Sequence, residues 1–211
     1  GRRRVQTSSS EVYGTPATLP ILETHPLQGQ SPYSASKIGA DKLCESYFCS
    51  FQVPVVTVRP FNTYGPRQSA RAVLPTILTQ MLAGQRAIKL GSIDPRRDLL
   101  FVADTVEGFV KAGATPGIDG ETVQLGTGRA VSVAELFEIA RAAVGSDAVI
   151  ERDEQRVRPG ASEVMVLLAD ASKAQRLLNW TPAVTLEQGL ARTVEWLRHH
   201  QHLYARLGYQ V

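Results

Sequence analysis

Only two cysteines, Cys44 and Cys49, occur in the 211 residues, and their spacing matches no zinc signature. A disulfide framework is therefore not expected; the pair reads as reduced thiols without a chemical role, and no metal is expected. Three of the histidines, His199, His200 and His202, crowd towards the C-terminus at a spacing ill suited to metal binding. No apolar run approaches the roughly 20 residues of a bilayer span. Gly1-Arg2-Arg3-Arg4 leads into a polar stretch rather than the apolar core of an export signal, so a cytoplasmic protein without a membrane partner is expected. Aromatic residues make up only 7% of the chain and the formal charge is only +3, with the basic residues dispersed. That pattern argues against nucleic acid and leaves small anions as the expected partners. A further absence is sharper. No segment matches G-x-x-G-x-x-G or G-x-G-x-x-G, the glycine turn with which a doubly wound α/β domain ordinarily opens.

A hydrophobic content of 43% is enough for a real core. Strands are predicted at 4–8, 53–58, 87–90, 98–102, 122–125 and 164–168, the second of them a β-branched run interrupted only by Pro54. Helices are predicted at 32–51, 73–83, 104–112, 133–144, 172–178 and 186–200. Pro32 suits a first helical turn, Asp104 reads as an N-cap, and Ser132 with Glu135 reads as a capping box. Residues 14–31 and 59–70, rich in Pro, Gly and Asn, read as loops. Strands alternating with helices predict an α/β fold with a largely parallel sheet.

The densest chemical signal is Tyr33-Ser34-Ala35-Ser36-Lys37 on the first helix. Positions four apart share a helix face, and a lysine ammonium beside a tyrosine hydroxyl favours the phenolate. A general base of this kind serves the oxidation of an alcohol. Some twenty residues earlier, Thr7-Ser8-Ser9-Ser10-Glu11 forms a hydroxyl-rich corner at the end of a predicted strand. A hydroxyl there can hold a substrate hydroxyl against the tyrosine, and a nearby carboxylate offers a second proton-transfer group.

These segments, with Arg59-Pro60-Phe61-Asn62-Thr63-Tyr64-Gly65-Pro66-Arg67, Arg97-Asp98-Leu99-Leu100-Phe101-Val102, Gly126-Thr127-Gly128, Arg158-Pro159, Asp170-Ala171-Ser172-Lys173 and Leu178-Asn179-Trp180, run in order along nearly the whole chain. Together they resemble the extended short-chain dehydrogenase/reductases that modify nucleotide sugars, and most of all their NAD-dependent 4,6-dehydratase branch. The resemblance implies the C-terminal part of a doubly wound, Rossmann-like parallel sheet plus a smaller α/β substrate-binding unit. On that division, residues 1–67 complete the dinucleotide-binding domain and 68–211 bind mainly substrate, with 98–145 returning in part to the first sheet.

Several roles follow from the resemblance. Ser9 stands at the catalytic Ser/Thr position, with Ser8 beside it near the cofactor. Tyr33 is the base for the C4 hydroxyl, and Lys37 bonds the nicotinamide ribose. Glu11 stands where the dehydratase glutamate removes the C5 proton. Pro60 and Phe61 approach the nicotinamide, while Asn62, Arg67, Arg97 and Arg158 face the substrate's diphosphate. NAD is the implied cofactor, with NADP open because the residue that reads the adenosine ribose has no counterpart in the chain. A nucleotide-diphosphate sugar is the implied substrate and a homodimer the implied assembly.

Ser10 departs from part of the branch, which carries an aspartate there as the acid for the leaving C6 hydroxyl. With serine at this position, Glu11 has to serve as base and acid in turn. The sugar therefore stays open between UDP-N-acetylhexosamine and GDP-mannose types. A 4-epimerase and a UDP-glucuronate decarboxylase remain as alternatives, as does a silent fragment acting only as a binding or assembly module. The missing glycine turn leaves the NAD pyrophosphate without a cradle, and poor NAD binding by these residues alone is expected.

Overall fold

The structure, a computed structural model, describes residues 3–156, 160 and 163–204. Strand β1 (Arg4–Thr7) pairs in parallel with β2 (Val55–Pro60), which pairs in parallel with β6 (Thr122–Leu125), giving the order β1-β2-β6. β2 is buried along almost its whole length because both of its faces are covered. Val56 and Val58 pack into a cluster with Ala112 of α3 (Val102–Ala114) and Leu178 of α5 (Ser172–Leu178), closed by the fully buried Trp180. On the other face, Arg59 turns towards α1 (Pro32–Phe51).

A second core lies beyond β2. Strand β3 (Asn62–Tyr64) runs parallel to β5 (Arg96–Phe101), which also takes β7 (Ala130–Ser132) antiparallel and β9 (Val166–Leu167) parallel. Strands β4 (Ala87–Leu90) and β8 (Val149–Arg152) form a separate parallel pair. Helices α2 (Val73–Leu82), α4 (Val133–Val144) and α6 (Leu186–His200) supply Ile77, Leu78, Phe137, Leu190, Val194 and Leu197 to one apolar cluster. This is the α/β architecture with parallel strands that the sequence predicts. Among the described residues, no helix is long and apolar enough to cross a membrane.

The helix predicted over Pro32–Phe51 is α1 residue for residue, opened by a Ser31–Ser34 capping box with Pro32 in the first turn. Ser132 and Glu135 form the expected box at α4. Two readings are corrected. The segment read as a loop after Arg59 contains β3, while β7 and β8, also unpredicted, are held by partners distant in sequence. Asp104 does not cap α3, which starts at Val102; its carboxylate instead accepts the Val184 N–H at 3.0 Å. Of the apolar residues on α1, Phe48 packs over Gly120, whereas Leu43, Tyr47 and Phe51 are exposed at 60%, 49% and 71%.

Candidate active site

Strand β1 delivers the chain into a tight corner. After Thr7 comes a single 3-10 turn, Ser10–Tyr13, which ends at Gly14 with φ +56°. A Cβ at Gly14 would sit 2.9 Å from both the Cβ and the carbonyl oxygen of Gln28, so this corner requires glycine. Within it the three serines face different ways. Ser9 is half-buried and its Oγ accepts the Glu11 N–H at 3.2 Å. Ser10 is buried. Ser8 is buried too, and its Oγ donates to Asp41 Oδ2 at 2.7 Å rather than pointing outward.

Helix α1 lies against this corner. Lys37 Nζ donates to the Thr7 carbonyl at 3.0 Å and sits 5.7 Å from the centroid of the Tyr33 ring. Tyr33 itself is 53% exposed. Both residues thus stand at the carboxyl ends of the parallel strands β1 and β2, the edge at which open α/β sheets bind ligands. Pro60 ends β2 half-buried, and Phe61 is buried behind it with its N–H on the Leu125 carbonyl at 2.8 Å.

Glu11 also belongs to the wall of a cavity of about 350 Å³ that reaches across β5 and β4. Asn62, Gln68, Arg71, Lys89, Arg97, Arg156 and Glu163 line it, so four cationic side chains face two acidic ones. Arg97 Nη2 is held by Glu163 Oε1 at 3.2 Å. Asn62 Oδ1 and Gln68 Oε1 are buried without a hydrogen-bond partner. An excess of cations, three of them guanidiniums, suits a phosphorylated ligand. Tyr33, Lys37 and Ser9 stand outside this lining, as does Arg67, which is exposed. Arg158 lies outside the described residues.

Gln68, Lys89, Arg156 and Glu163 were not singled out from the sequence as ligand-facing. Their signal was weak: Lys89 is one of two outward-facing positions on the alternating strand β4, and only its pairing with β8 shows which cavity it borders.

Arg97 is aimed by its neighbour. Asp98 is fully buried, and its carboxylate takes four donors: Thr127 N–H at 2.8 Å, Thr127 Oγ1 at 2.6 Å, Gly128 N–H at 3.0 Å and Ala169 N–H at 3.2 Å. Burial pushes its pKa above the ordinary carboxylate value, against the downward pull of those donors. The Gly-Thr-Gly turn after β6 is thereby stapled to β5, so the strand carrying Arg97 is fixed relative to the sheet carrying the Ser-rich corner.

The family model described as GDP-mannose 4,6 dehydratase matches residues 1–193. A UDP-glucose 4-epimerase of Mycolicibacterium smegmatis is 34% identical over 203 residues, covering 94% of this chain and 63% of its own. A dTDP-glucose 4,6-dehydratase of Streptomyces griseus is 35% identical over 198 residues, covering 93% and 59% respectively. In three dimensions, the dTDP-glucose 4,6-dehydratase of Bacillus anthracis in complex with NAD superposes with a TM-score of 0.85 at 30% identity, over 95% of this chain and 63% of that one. The chain therefore spans about three-fifths of the length of these relatives.

Proposed function

The chain belongs to the GDP-mannose 4,6-dehydratase family of NAD-dependent epimerases and dehydratases, and from that membership we propose that its protein is a nucleotide-sugar 4,6-dehydratase, converting an NDP-hexose to the 4-keto-6-deoxy sugar. The observation that carries this reading is Glu11: a carboxylate in the wall of a cation-rich cavity, two residues from Ser9 and on the same corner that Lys37 touches.

NAD is the proposed cofactor, and it would take hydride from C4 and return it to C6. The residues present suit its nicotinamide end, because Tyr33 and Lys37 stand at the carboxyl edge of the parallel strands with Pro60 closing β2. Tyr33 accepts the C4 hydroxyl proton while Lys37, anchored on the Thr7 carbonyl, supports the phenolate and the ribose. Ser9 orients the same hydroxyl. Glu11 then removes the proton at C5, made acidic by the neighbouring 4-ketone, and delivers it to the departing C6 hydroxyl as water, since Ser10 offers no second carboxyl; C5 regains a proton from solvent, by way of Glu11, as C6 is reduced. Arg97, Asn62 and the other cavity cations hold the diphosphate, whose binding energy orients the sugar. The protein is further proposed to dimerise through the exposed Leu43, Tyr47 and Phe51 face of α1.

A 4-epimerase is the second reading, favoured by the Mycolicibacterium relative. It needs no C5 deprotonation. Full-length protein incubated with C5-deuterated UDP-N-acetylglucosamine, GDP-mannose and dTDP-glucose decides between them: loss of the label with a 4-keto-6-deoxy product is expected, and Glu11→Gln should abolish that loss. A C4 epimer that retains the deuterium refutes dehydration.

A further inference from the structure

The candidate site is assembled from three separate pieces of chain: the corner at Ser8–Tyr13, the first turns of α1 and the end of β2. One buried polar chain joins all three. It starts at Gln124 on β6, whose amide nitrogen donates to the Ile21 carbonyl and, at 2.7 Å, to the Asp170 carbonyl, which fixes its orientation. Its Oε1 accepts the Tyr13 hydroxyl at 2.9 Å. That hydroxyl accepts from Arg59 Nη1 at 3.1 Å. Arg59 Nε and Nη2 both reach Asp41 Oδ2 at 3.0 Å, and Ser8 Oγ donates to the same oxygen. Arg59 and Asp41 are only 5% and 4% exposed. Burial holds the Tyr13 pKa up at about 12, so the phenol keeps the proton it gives to Gln124.

A buried ion pair is a poor way to gain stability, because desolvating two charges offsets most of their attraction and apolar packing does as well. What such a pair supplies is registration, since its geometry tolerates little sliding. Its location fits that use. Tyr33, Lys37 and Asp41 follow one another at four-residue steps along α1, and each step overshoots a full turn by about 40°. The line they trace therefore winds from exposed Tyr33 through half-buried Lys37 to buried Asp41. Fixing Asp41 against Arg59 sets the rotation of α1 about its own axis. Ser8, bonded to Asp41, precedes Ser9; Tyr13 closes the turn that carries Glu11; Arg59 precedes Pro60.

We propose that Asp41, Arg59, Tyr13 and Ser8 are positioning residues, which hold the Tyr33–Lys37 face of α1 in register with the Ser9–Glu11 corner without touching substrate. What is positioned rests on the function proposed above; that the two elements are coupled through this chain does not.

The test uses the full-length protein and the variants Asp41→Asn, Tyr13→Phe and Ser8→Ala, the last two of which delete a single oxygen and leave the ion pair in place. Amide hydrogen exchange is followed in residues 7–14 and 32–41, with α6 as internal reference, and kcat and KM are measured at saturating NAD. Faster exchange in both segments with α6 unchanged is expected, together with a kcat lower by about 10- to 100-fold and a KM for the nucleotide sugar within about twofold, the pattern of displaced reacting groups. Unchanged exchange in folded variants overturns the proposal, as does a parental kcat. If the parent protein turns over no nucleotide sugar, the reaction assigned above falls, and the exchange data still decide the coupling. Should Asp41→Asn fail to fold, Tyr13→Phe and Ser8→Ala carry the same readouts.

Discussion

Replacing Asp98 by asparagine removes one acceptor oxygen and puts an NH2 in its place, with almost no change in volume. The carboxylate divides its four donors evenly: Oδ1 takes the N–H and hydroxyl of Thr127, and Oδ2 takes the N–H groups of Gly128 and Ala169. Whichever way the asparagine amide is turned, two donors then face a third donor. Turning the amide so that its oxygen keeps Thr127 orphans two backbone N–H groups, that of the buried Ala169 and that of the exposed Gly128. An unsatisfied buried donor costs about 1–3 kcal/mol, and the Ala169 N–H is the one of the two that water cannot reach, so a loss of about that size is expected. Rotation of the hydroxyl offers no escape in that orientation, because Gly128 and Ala169 have none. For a chain of this size, each kcal/mol lowers the melting midpoint by roughly 2–4 °C, so a fall of at least about 2 °C is expected in thermal denaturation followed by circular dichroism at pH 7. Arg129→Gln, which breaks an exposed pair with Glu187, is the control and should move the midpoint by less than about 2 °C. Equal midpoints for Asp98→Asn and that control would refute the view of Asp98 as the staple between β5 and the turn after β6.

Three further outcomes are expected. Hydrogen bonding to the Ser132 N–H, helped by Arg96, holds Glu135 below its ordinary value of 4.5. A depressed folded-state pKa contributes stability above the unfolded value and loses it as pH falls through the folded one. The stability deficit of Glu135→Gln should therefore be present at neutral pH and vanish on the acid side of pH 4.5, as read by urea titration at stepped pH; a deficit independent of pH contradicts the assignment. Arg97→Gln removes a charged donor from the proposed diphosphate site and should weaken UDP binding to the full-length protein by about 1.5–3 kcal/mol, roughly 10- to 100-fold in Kd by calorimetry. Unaltered affinity would place the diphosphate elsewhere. Tyr47→Asp puts a charge on the exposed apolar face of α1 and should convert a dimer to a monomer in size-exclusion chromatography with light scattering; a dimer that survives it forms through another surface.

Local chemistry made much of the fold readable, and partners distant in sequence hid the rest. Helix α1 could be placed to the residue because its signals are internal: a proline in the first turn and an apolar repeat. Strand β2 was placed two residues early because its final positions carry Arg59 and Pro60, and no count of apolar residues registers an arginine whose charge is neutralised by Asp41, eighteen positions away in sequence and buried with it. Strand β3 is three residues long and exists through its pairing with β5, so the Asn and Gly around it read as a loop. Asp104 is the clearest conflict between local and tertiary chemistry. Its side chain suits an N-cap, but the Val184 N–H captures the carboxylate, and α3 begins two residues earlier without a side-chain cap. The candidate site divides along the same line. Tyr33 and Lys37 announce themselves by spacing on one helix, whereas Glu163, Lys89 and Arg156 meet Arg97 and Glu11 only after β4, β5 and the segments beyond have folded. Groups expected to do chemistry sit close together in the chain because one helix or one turn must present them in fixed relation. Groups that ring a ligand come from anywhere the fold can reach. A sequence of this kind thus reveals its reaction class more readily than its substrate, and the sugar has to be identified by assay on the cavity formed by the later segments.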